Sequence, residues 1–250
     1  MPEFSVIIPA FNEEKTVETA ISETRRVFQV LGKSCEIIVV DDGSSDGTVA
    51  IVENLLQSSP DMSSYGLTGG TYLRSISHPT NQGKGAAVKT GVSAAQGEWV
   101  VFLDSDLATH PSEIKKALPH LGSSDIIIGS RRVAGADIAE RQPMHRHWLG
   151  RLFNLGVRTY LGLPFHDTQC GFKLFSRRAL PLFTNLQTRG WAFDVELLYL
   201  AKQRGLSVQE IPVVWRNGRE SRVKISHVLR ILREIFLIKN RPPTSTASRS

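Results

Sequence analysis

The chain has 250 residues, of which 41% are hydrophobic and 22% are charged, which is enough for one large α/β domain with its own core. The two cysteines, Cys35 and Cys170, stand in unrelated contexts, which excludes a disulfide framework and a cysteine-rich metal site. No segment approaches the roughly 20 apolar residues that a membrane-spanning helix needs.

The positive charge of the chain is concentrated in one segment. The net charge is +6, and residues 216–241 hold eight lysines and arginines against two glutamates, so the rest of the chain is neutral. Such a local excess predicts contact with an anionic membrane surface or an anionic substrate. It does not favour nucleic acid, because the segment lacks the interleaved aromatic residues that single-strand binders use.

Apolar runs typical of strands alternate along the chain with runs typical of helices. The predicted strands cover residues 4–8, 36–40, 72–77, 99–103, 125–129, 168–175 and 208–215. The predicted helices cover residues 13–31, 48–57, 83–95, 149–160, 194–204 and 225–239. This alternation predicts an α/β fold with a doubly wound, mostly parallel sheet flanked by helices. Asn12 is a favoured N-cap residue, so we expect the first helix to begin directly after it.

The distribution of Pro, Gly, Ser and Thr along the chain predicts its domain organisation. We expect a single domain over residues 1–241, because no Pro- or Gly-rich linker divides it. The tail at 242–250 is rich in Pro, Ser and Thr, which predicts disorder. Since the chain enters its first strand without a basic region or an apolar signal segment, we expect a cytoplasmic protein.

The last predicted helix, residues 225–239, is amphipathic and basic. Its apolar residues on one half of the helical wheel are Ile225, Val228, Leu229, Ile231, Leu232, Ile235, Phe236 and Ile238. This pattern fits a helix packed on the domain. It equally fits an interfacial helix whose basic side chains lie at lipid headgroups, and one apolar face can serve both.

Two carboxylates follow the most apolar of the predicted strands. The run Trp99–Leu103 has no polar side chain and leads directly into Asp104, Ser105 and Asp106. We expect the chain to turn here, at the carboxyl edge of the sheet, where open α/β folds bind ligands. Adjacent carboxylates repel unless a cation lies between them, and hard oxygen ligands suit Mg²⁺ or Mn²⁺. The alternative is a helix cap beside a solvated turn carboxylate.

Polar groups also follow the first two predicted strands. Pro9–Glu14 follows the first strand, and Asp41 and Asp42 open the sequence Asp-Asp-Gly-Ser after the second. At the same edge of the sheet, such carboxylates can accept hydrogen bonds from a base N–H or from ribose hydroxyls. For Asp42, the alternative is a local Asx-turn.

The segment 81–87 has the sequence Asn-Gln-Gly-Lys-Gly-Ala-Ala, but it is not a Walker A motif. Lys84 is followed by Gly85 rather than by Ser or Thr, and the upstream glycine is missing. No GxGxxG pattern follows the first strand either, so a dinucleotide fold is disfavoured. The glycines still allow close approach of the backbone to a ligand at a helix N-terminus. Lys84 either contributes to that site or is a solvated charge.

In this order and spacing, the motifs resemble those of the family 2 glycosyltransferases with a GT-A fold. Within that family, the chain is most similar to the polyprenyl-phosphate sugar transferases. The segments similar to dolichyl-phosphate β-glucosyltransferases are His166–Lys173, Trp191–Glu196 and Val213–Trp215 followed by Ser221 and Arg222. The resemblance spans about residues 3–238.

The resemblance implies an inverting transferase that moves glucose from UDP-glucose to dolichyl or undecaprenyl phosphate at the cytoplasmic face of a membrane. It implies a peripheral enzyme with Mg²⁺ or Mn²⁺ as cofactor. The acceptor phosphate is already anionic at neutral pH, so it needs orientation rather than a strong general base. The implied partners are a nucleotide sugar, a polyprenyl phosphate and an anionic membrane surface.

The resemblance also assigns roles to individual residues. The metal ligands implied are Asp104 and Asp106, directly or through water, and the catalytic residues implied are Asp104, Asp106, Arg131, Asp167 and Asp194. The residues implied for the nucleotide sugar are Pro9, Ala10, Phe11, Glu13, Asp41, Asp42, Asn81, Gly83, Lys84, Asp104 and Ser105. The residues implied for the acceptor phosphate are Arg131, Ser221 and Arg222.

Asp167 and Asp194 also carry alternatives. Asp167 and Asp194 would contact sugar hydroxyls or orient the arginines, and Asp194 would otherwise be a helix N-cap.

The chain departs from the family pattern in two ways. Dolichyl-phosphate mannose synthases usually carry Gln, a further metal contact, where this chain has Ala108, so the glucosyl branch is favoured. Membrane helices, which are N-terminal in eukaryotic glucosyl enzymes and C-terminal in many bacterial relatives, have no counterpart in this sequence. A reversible, peripheral attachment would be consistent with that difference.

Three other hypotheses remain open at the level of sequence. The donor is GDP-mannose in the first. In the second, the acceptor is a soluble hydroxyl compound, which would need Asp194 or Asp167 as a general base. The third is a nucleotide-sugar-binding module whose basic tail binds nucleic acid, which leaves the pairing of Asp104 with Asp106 unexplained.

Overall fold

The computed structural model describes residues 1–58, 70–139, 144–216 and 225–240. Side chains are described from residue 150 in the helix that begins at 144, and from residue 231 in the helix that begins at 225. The predicted tail at 242–250 lies outside these ranges.

The described part of the chain alternates strands and helices. The strands are β1 (Phe4–Ala10), β2 (Cys35–Asp41), β3 (Thr71–Ser77), β4 (Trp99–Leu103), β5 (Ile126–Ser130), β6 (Asp137–Ile138), β7 (Phe172–Ser176), β8 (Val208–Pro212) and β9 (Val214–Trp215). The α-helices are α1 (Val17–Leu31), α2 (Thr48–Ser58), α3 (Lys84–Ala94), α4 (Ile114–Ala117), α5 (Met144–Leu161), α6 (Pro181–Thr184), α7 (Phe193–Gln203) and α8 (Ile225–Asn240). Short 3₁₀ turns cover Pro111–Glu113, Leu118–His120 and Arg177–Ala179.

Within the described ranges, seven strands form one sheet in the order β3-β2-β1-β4-β7-β5-β8, and β6 pairs with β9 separately. β7 runs antiparallel to β4 and β5, and the other pairings in the sheet are parallel. The predicted α/β class with a mostly parallel sheet is therefore confirmed. Because the chain moves to β2 on one side of β1 and to β4 on the other, a crevice opens at the carboxyl ends of β1 and β4.

Helices cover the sheet on both faces, which buries its central strands completely. All residues of β1, β2 and β4 are buried, as their continuous apolar runs predict. Side chains alternate between the faces, so Ile7 packs in the core beneath α3 and α7, while Val6 and Ile8 pack in the core beneath α1. This double burial leaves the strand ends as the places where polar side chains reach solvent.

The first helix begins later than predicted. α1 starts at Val17 after Thr16, and Asn12 instead has a left-handed backbone with φ of 55°. Its Oδ1 accepts a hydrogen bond from the backbone N–H of Ser45 at 2.8 Å. The N-cap prediction for Asn12 is wrong, because this side chain connects the loops after β1 and β2.

α8 packs on the domain through one face and exposes further apolar side chains. Ile231, Ile235 and Ile238 are buried in the core that α7 also lines. Leu232 and Phe236 have exposed fractions of 47% and 59%. The packing alternative for residues 225–239 is therefore observed, and apolar surface is left over. In the ranges given above, no helix is both long and apolar enough to cross a membrane.

Candidate active site

A tight turn after β4 places Asp104 and Asp106 at the crevice between β1 and β4. Leu107 has a left-handed backbone with φ of 53°, and Oδ1 of Asp106 accepts a hydrogen bond from the N–H of Ala108 at 2.9 Å. Asp106 is exposed, and Ser105 between the two aspartates is buried. Asp106 is therefore the solvated turn carboxylate of the alternative prediction, whereas Asp104 faces inward to a charged partner.

The glycine before β7 gives Asp104 its position. The N–H of Asp104 donates to the carbonyl of Gly171 at 3.2 Å, because β7 pairs with β4 at this point. A Cβ added to Gly171 would lie 1.9 Å from Oδ2 of Asp104. The carboxylate thus occupies space that any other residue at position 171 would fill.

Lys84 is the charged partner of Asp104. Its Nζ lies 2.7 Å from Oδ1 of Asp104. It also lies over the rings of Phe102 and Trp191, at 5.2 and 4.9 Å from the centroids, and the side chain is only 18% exposed. Burial would lower the pKa of Lys84, but the carboxylates of Asp104 and Asp194 outweigh it and hold that pKa above its ordinary value. The solvated-charge alternative for Lys84 is not observed.

Asp194 and Lys173 form a second, deeper ion pair beside the first. Lys173 is fully buried in β7, and its Nζ lies 2.7 Å from Oδ1 of Asp194 and 2.6 Å from the carbonyl oxygen of Cys170. Burial raises the pKa of Asp194, and the nearby Lys173 and Lys84 offset this only in part. The residue before α7 is Ala192, so the N-cap alternative for Asp194 is not observed.

The arrangement fits a divalent cation that takes most of its ligands from elsewhere. In the described ranges, no group of three or more His, Cys, Asp or Glu side chains is placed to hold a metal ion. Asp104 and Asp106 supply two carboxylates, and Mg²⁺ and Mn²⁺ accept substrate phosphates and waters for the remaining positions. The ammonium of Lys84, 2.7 Å from Asp104, shows that this carboxylate already binds a cation.

Asp41 and Asp42 organise the neighbouring loops. Oδ2 of Asp41 accepts a hydrogen bond from the N–H of Gly43, so the Asx-turn predicted for Asp42 is made by Asp41. Asp42 is 3% exposed and accepts the N–H groups of Gln82 at 2.9 Å and Gly83 at 2.8 Å. Its Oδ1 also lies 2.7 Å from Nδ1 of His78. Asp42 therefore positions the loop that carries Lys84.

The glycines at 83 and 85 serve a protein contact. A Cβ on Gly83 would lie 2.4 Å from the carbonyl oxygen of Arg189, and the N–H of Gly85 donates to that oxygen at 2.8 Å. The backbone approach predicted for a ligand at this helix N-terminus is therefore made by the protein's own chain before α7. The two glycines thus allow a contact within the protein, and Lys84 between them contributes its ammonium group to the site.

The other residues predicted for the nucleotide sugar lie around the same crevice. Pro9 and Ala10 are buried at the end of β1, and Phe11 is exposed just beyond it. Glu13 is half-buried and its Oε2 accepts the Thr16 hydroxyl, and Asn81 is exposed in the loop before α3. Their contacts with a nucleotide remain predictions.

Arg131 and Asp167 form a bidentate ion pair at the end of β5. Nε and Nη2 of Arg131 donate to the two carboxylate oxygens of Asp167, at 2.6 and 2.9 Å. The Arg131 guanidinium also lies 5.6 Å from the Trp215 ring centroid. Burial by itself would raise the pKa of Asp167, but the guanidinium of Arg131 holds that pKa well below its usual range. Asp167 therefore orients Arg131, which is one of the two roles predicted for it. Its carboxylate also occupies the two guanidinium donors of Arg131 that were expected to hold a phosphate.

Ser221 and Arg222 lie outside the described residues, so their acceptor role stays a prediction. Lys173 and His78 were not among the predicted site residues. The signal for Lys173 was a charge inside the apolar run Phe172–Phe175, which indicates a buried partner. His78 gave no such signal, because its partner Asp42 is 36 residues away in sequence.

The chain is similar in sequence to known proteins of one family. The model of glycosyl transferase family 2 matches residues 5–182. A dolichyl-phosphate beta-glucosyltransferase of Trichomonas vaginalis is 36% identical over 246 residues, which cover 93% of this chain and 69% of that protein. The human dolichyl-phosphate beta-glucosyltransferase is 32% identical over 234 residues, which cover 88% of this chain and 69% of that protein.

A solved structure shares the fold. Glucosyl-3-phosphoglycerate synthase from Mycobacterium tuberculosis, in complex with Mn²⁺, UDP and phosphoglyceric acid, superposes with a TM-score of 0.67 at 23% identity. The superposition covers 95% of this chain and 77% of that one. The same synthase in complex with Mn²⁺, UDP-glucose and phosphoglyceric acid gives a TM-score of 0.66 at 22% identity, over 95% of this chain and 78% of that one.

Proposed function

The chain belongs to glycosyltransferase family 2, and from this premise we propose that it transfers glucose from UDP-glucose to a polyprenyl phosphate at a membrane surface. The observation that carries the proposal is the position of Asp104 and Asp106 at the crevice between β1 and β4. The relatives named dolichyl-phosphate beta-glucosyltransferase support glucose as the sugar and a polyprenyl phosphate as the acceptor.

The donor would lie along the carboxyl edge of the sheet. Its nucleoside would contact the loops after β1 and β2, and its diphosphate would lie near Asp104, Asp106 and Lys84. A divalent cation bound there, Mg²⁺ or Mn²⁺, would offset the negative charge that grows on the leaving nucleoside diphosphate. Lys84 adds a positive charge at the same place, since the backbone of the helix that begins with it is anchored by the carbonyl of Arg189.

An excess of positive charge after β5 supports an anionic acceptor. Burial and the neighbouring Arg131, Arg151 and Arg158 lower the pKa of the Arg132 guanidinium, despite the nearby Asp167. Because like charges are crowded here, a phosphate group would relieve their repulsion. The acceptor oxygen is already ionised, so these cations need only orient it for in-line attack with inversion at the sugar carbon.

The contacts of Asp194 and Asp167 favour a phosphate acceptor over a soluble hydroxyl acceptor. A hydroxyl would need a general base within hydrogen-bonding reach. Asp194 has the raised pKa that suits a base, but it is 4% exposed and paired with Lys173. Asp167 is 1% exposed and paired with Arg131. Neither carboxylate is presented to a substrate.

Two helices on one side of the sheet support attachment to a membrane surface. α5 exposes Leu152 and Leu155, and α8 exposes Leu232, Phe236 and Leu237. The helices meet where Nζ of Lys239 donates to the carbonyl of Tyr160 at 2.7 Å. Exposed apolar side chains beside arginines and lysines are typical of interfacial helices. A peripheral attachment on the cytoplasmic face would bring the site to a lipid acceptor.

Transfer of radiolabelled sugar into lipid tests the proposal. Purified enzyme receives Mg²⁺ or Mn²⁺, detergent-dispersed dolichyl or undecaprenyl phosphate, and labelled UDP-glucose or GDP-mannose in parallel. We expect label from UDP-glucose in the organic phase, lost in Asp106→Asn. Glu98→Gln is the matched control, because Glu98 is exposed at the opposite end of β4.

Two outcomes would change the proposal. Label from GDP-mannose alone would replace the donor while keeping the mechanism. No lipid product from either donor, with nucleotide release that depends on a soluble acceptor, would refute transfer to a lipid.

A further inference from the structure

A lysine already occupies the carboxylate that is expected to bind the metal. Nζ of Lys84 lies 2.7 Å from Oδ1 of Asp104, which is the distance of a direct ion pair. The ammonium lies over the rings of Phe102 and Trp191, so it has apolar and aromatic walls as well as an anion. With 18% of its side chain exposed, Lys84 is a resident cation rather than a surface charge.

Lys84 pairs directly with Asp104, and Asp194 and Asp106 are further carboxylates that attract it. Asp194 also attracts Lys84, but it is already paired with Lys173 at 2.7 Å. Asp104, Asp106 and Asp194 thus share the two ammonium groups of Lys84 and Lys173. If Lys84 moved away with nothing replacing it, Asp104 would lose the counter-charge that pairs with it directly, beside two other carboxylates.

A divalent cation and Lys84 compete for the same oxygen atoms. A metal ion bound to Asp104 with Lys84 still in place would put three positive charges within a few ångströms, and such charges repel strongly at a partly buried site. A nucleoside diphosphate changes this balance, because its phosphate oxygens give Lys84 a new anionic partner and give the metal further ligands.

We propose that Lys84 is the resident counter-ion of Asp104, and that a divalent cation displaces it only together with a nucleoside diphosphate. Lys84 thereby couples the binding of the two ligands. This inference rests on the proposed function, because it requires that Asp104 binds a metal ion and that the donor is a nucleotide sugar. By thermodynamic linkage, the nucleotide tightens metal binding by the same factor as the metal tightens nucleotide binding.

Direct measurement of Mn²⁺ binding tests the coupling without an activity assay. Free Mn²⁺ is counted by electron paramagnetic resonance during titration of the full chain, with and without UDP. For the wild type we expect weak binding that UDP tightens. In Lys84→Met, we expect Mn²⁺ to bind about tenfold more tightly than to the wild type in the absence of UDP, with a correspondingly smaller effect of UDP.

Two further variants make the result specific. Lys89→Met removes a lysine from the same helix, and we expect wild-type binding. Nζ of Lys89 contacts the carbonyl oxygens of Thr184 and Leu186, and it pairs with no carboxylate in the part of the chain that the structure describes. Lys84→Gln removes the charge with a polar side chain, and it carries the test if circular dichroism shows that Lys84→Met is misfolded.

The failures of the two proposals are distinguishable. If the wild type binds Mn²⁺ with UDP, but the folded Lys84 variants bind Mn²⁺ no more tightly than the wild type without UDP, the counter-ion proposal is refuted and the metal site stands. If the wild type binds no Mn²⁺ even with UDP, the metal site of the proposed function fails, and this proposal fails with it.

Discussion

Three donors of Arg131 converge on the carboxylate of Asp167, namely its backbone N–H, Nε and Nη2, at 3.0, 2.6 and 2.9 Å. The pair joins the end of β5 to the loop before β7, and Asp167 is 1% exposed. Because Asp167→Asn leaves the half-buried guanidinium of Arg131 without its counter-charge, we expect this variant to lose about 3 kcal/mol in the free energy of unfolding. Urea denaturation at pH 7 measures this loss. Asp137→Asn, an exposed control, should stay within about 0.5 kcal/mol.

The same pair predicts how stability depends on pH. The pKa of Asp167 is lower in the folded state than the value of about 3.9 in an unfolded chain, so the unfolded state binds more protons in this range. The stabilisation is therefore complete well above pH 4 and falls as the pH decreases toward the folded-state pKa. We expect the difference between wild type and Asp167→Asn to shrink between pH 6 and pH 2.5. A difference that stays constant over this range would contradict the assignment.

The contact between Gly171 and Asp104 predicts a loss of activity without loss of fold. A methyl group at position 171 would displace a carboxylate that lies 1.9 Å from its Cβ. We expect Gly171→Ala to lower the rate of sugar transfer by about a hundredfold, since a displacement of about 1 Å has this effect in other active sites.

Gly156→Ala is the control for that variant, because a Cβ at Gly156 in α5 meets no atom of the described residues within 4 Å. Circular dichroism should show both variants folded. Wild-type transfer by Gly171→Ala would mean that Asp104 tolerates the displacement, and would argue against its role in holding the metal and diphosphate.

A buried carboxylate at the opposite edge of the sheet predicts a loss of stability without a loss of activity. Glu36 is fully buried near the start of β2 and accepts the N–H of Gly97 at 3.2 Å and Nη1 of Arg74 at 3.1 Å. We expect Glu36→Gln to lower the free energy of unfolding by about 1–3 kcal/mol, because hydrogen bonds to a charged acceptor are lost. Thermal unfolding measures the loss, and transfer per folded molecule should equal that of wild type. A selective loss of activity would show that this edge influences the site.

The exposed apolar side chains of α8 predict membrane binding that depends on one face of the molecule. We expect Phe236→Glu to weaken co-sedimentation with anionic vesicles at low salt by about tenfold, since burial of one such side chain contributes roughly 1.5–3 kcal/mol. Val30→Glu is the matched control, because Val30 is 72% exposed on α1, whose buried side chains pack in the other core. Equal loss in both variants, or no binding by the wild type, would refute the proposed surface.

Much of the fold was predictable because its strands are buried on both faces. β4 was predicted at its observed bounds, Trp99–Leu103, since a run of five apolar residues allows few other arrangements. The start of β7 was predicted four residues too early. Thr168 belongs to the preceding loop, where its hydroxyl donates to Oδ1 of Asn154.

The candidate site was predictable as a set of residues but not as a set of contacts. Asp104 and Lys84 are 20 positions apart, and their pairing depends on α3 lying beside the end of β4. Asn12 shows the same limit, because the favourable N-cap pattern of its own segment was outweighed by a hydrogen bond to Ser45 in another loop.

The sequence by itself determined the alternation of strands and helices, the apolar cores and the edge of the sheet where the polar residues gather. Burial of apolar side chains follows from local patterns of hydrophobicity, which the sequence displays directly. Only the tertiary structure decided which charge meets which, as in the pairs of Lys84 with Asp104 and of Lys173 with Asp194. Electrostatic pairing depends on distances across the sheet, and segments far apart in sequence come together only when the chain has folded.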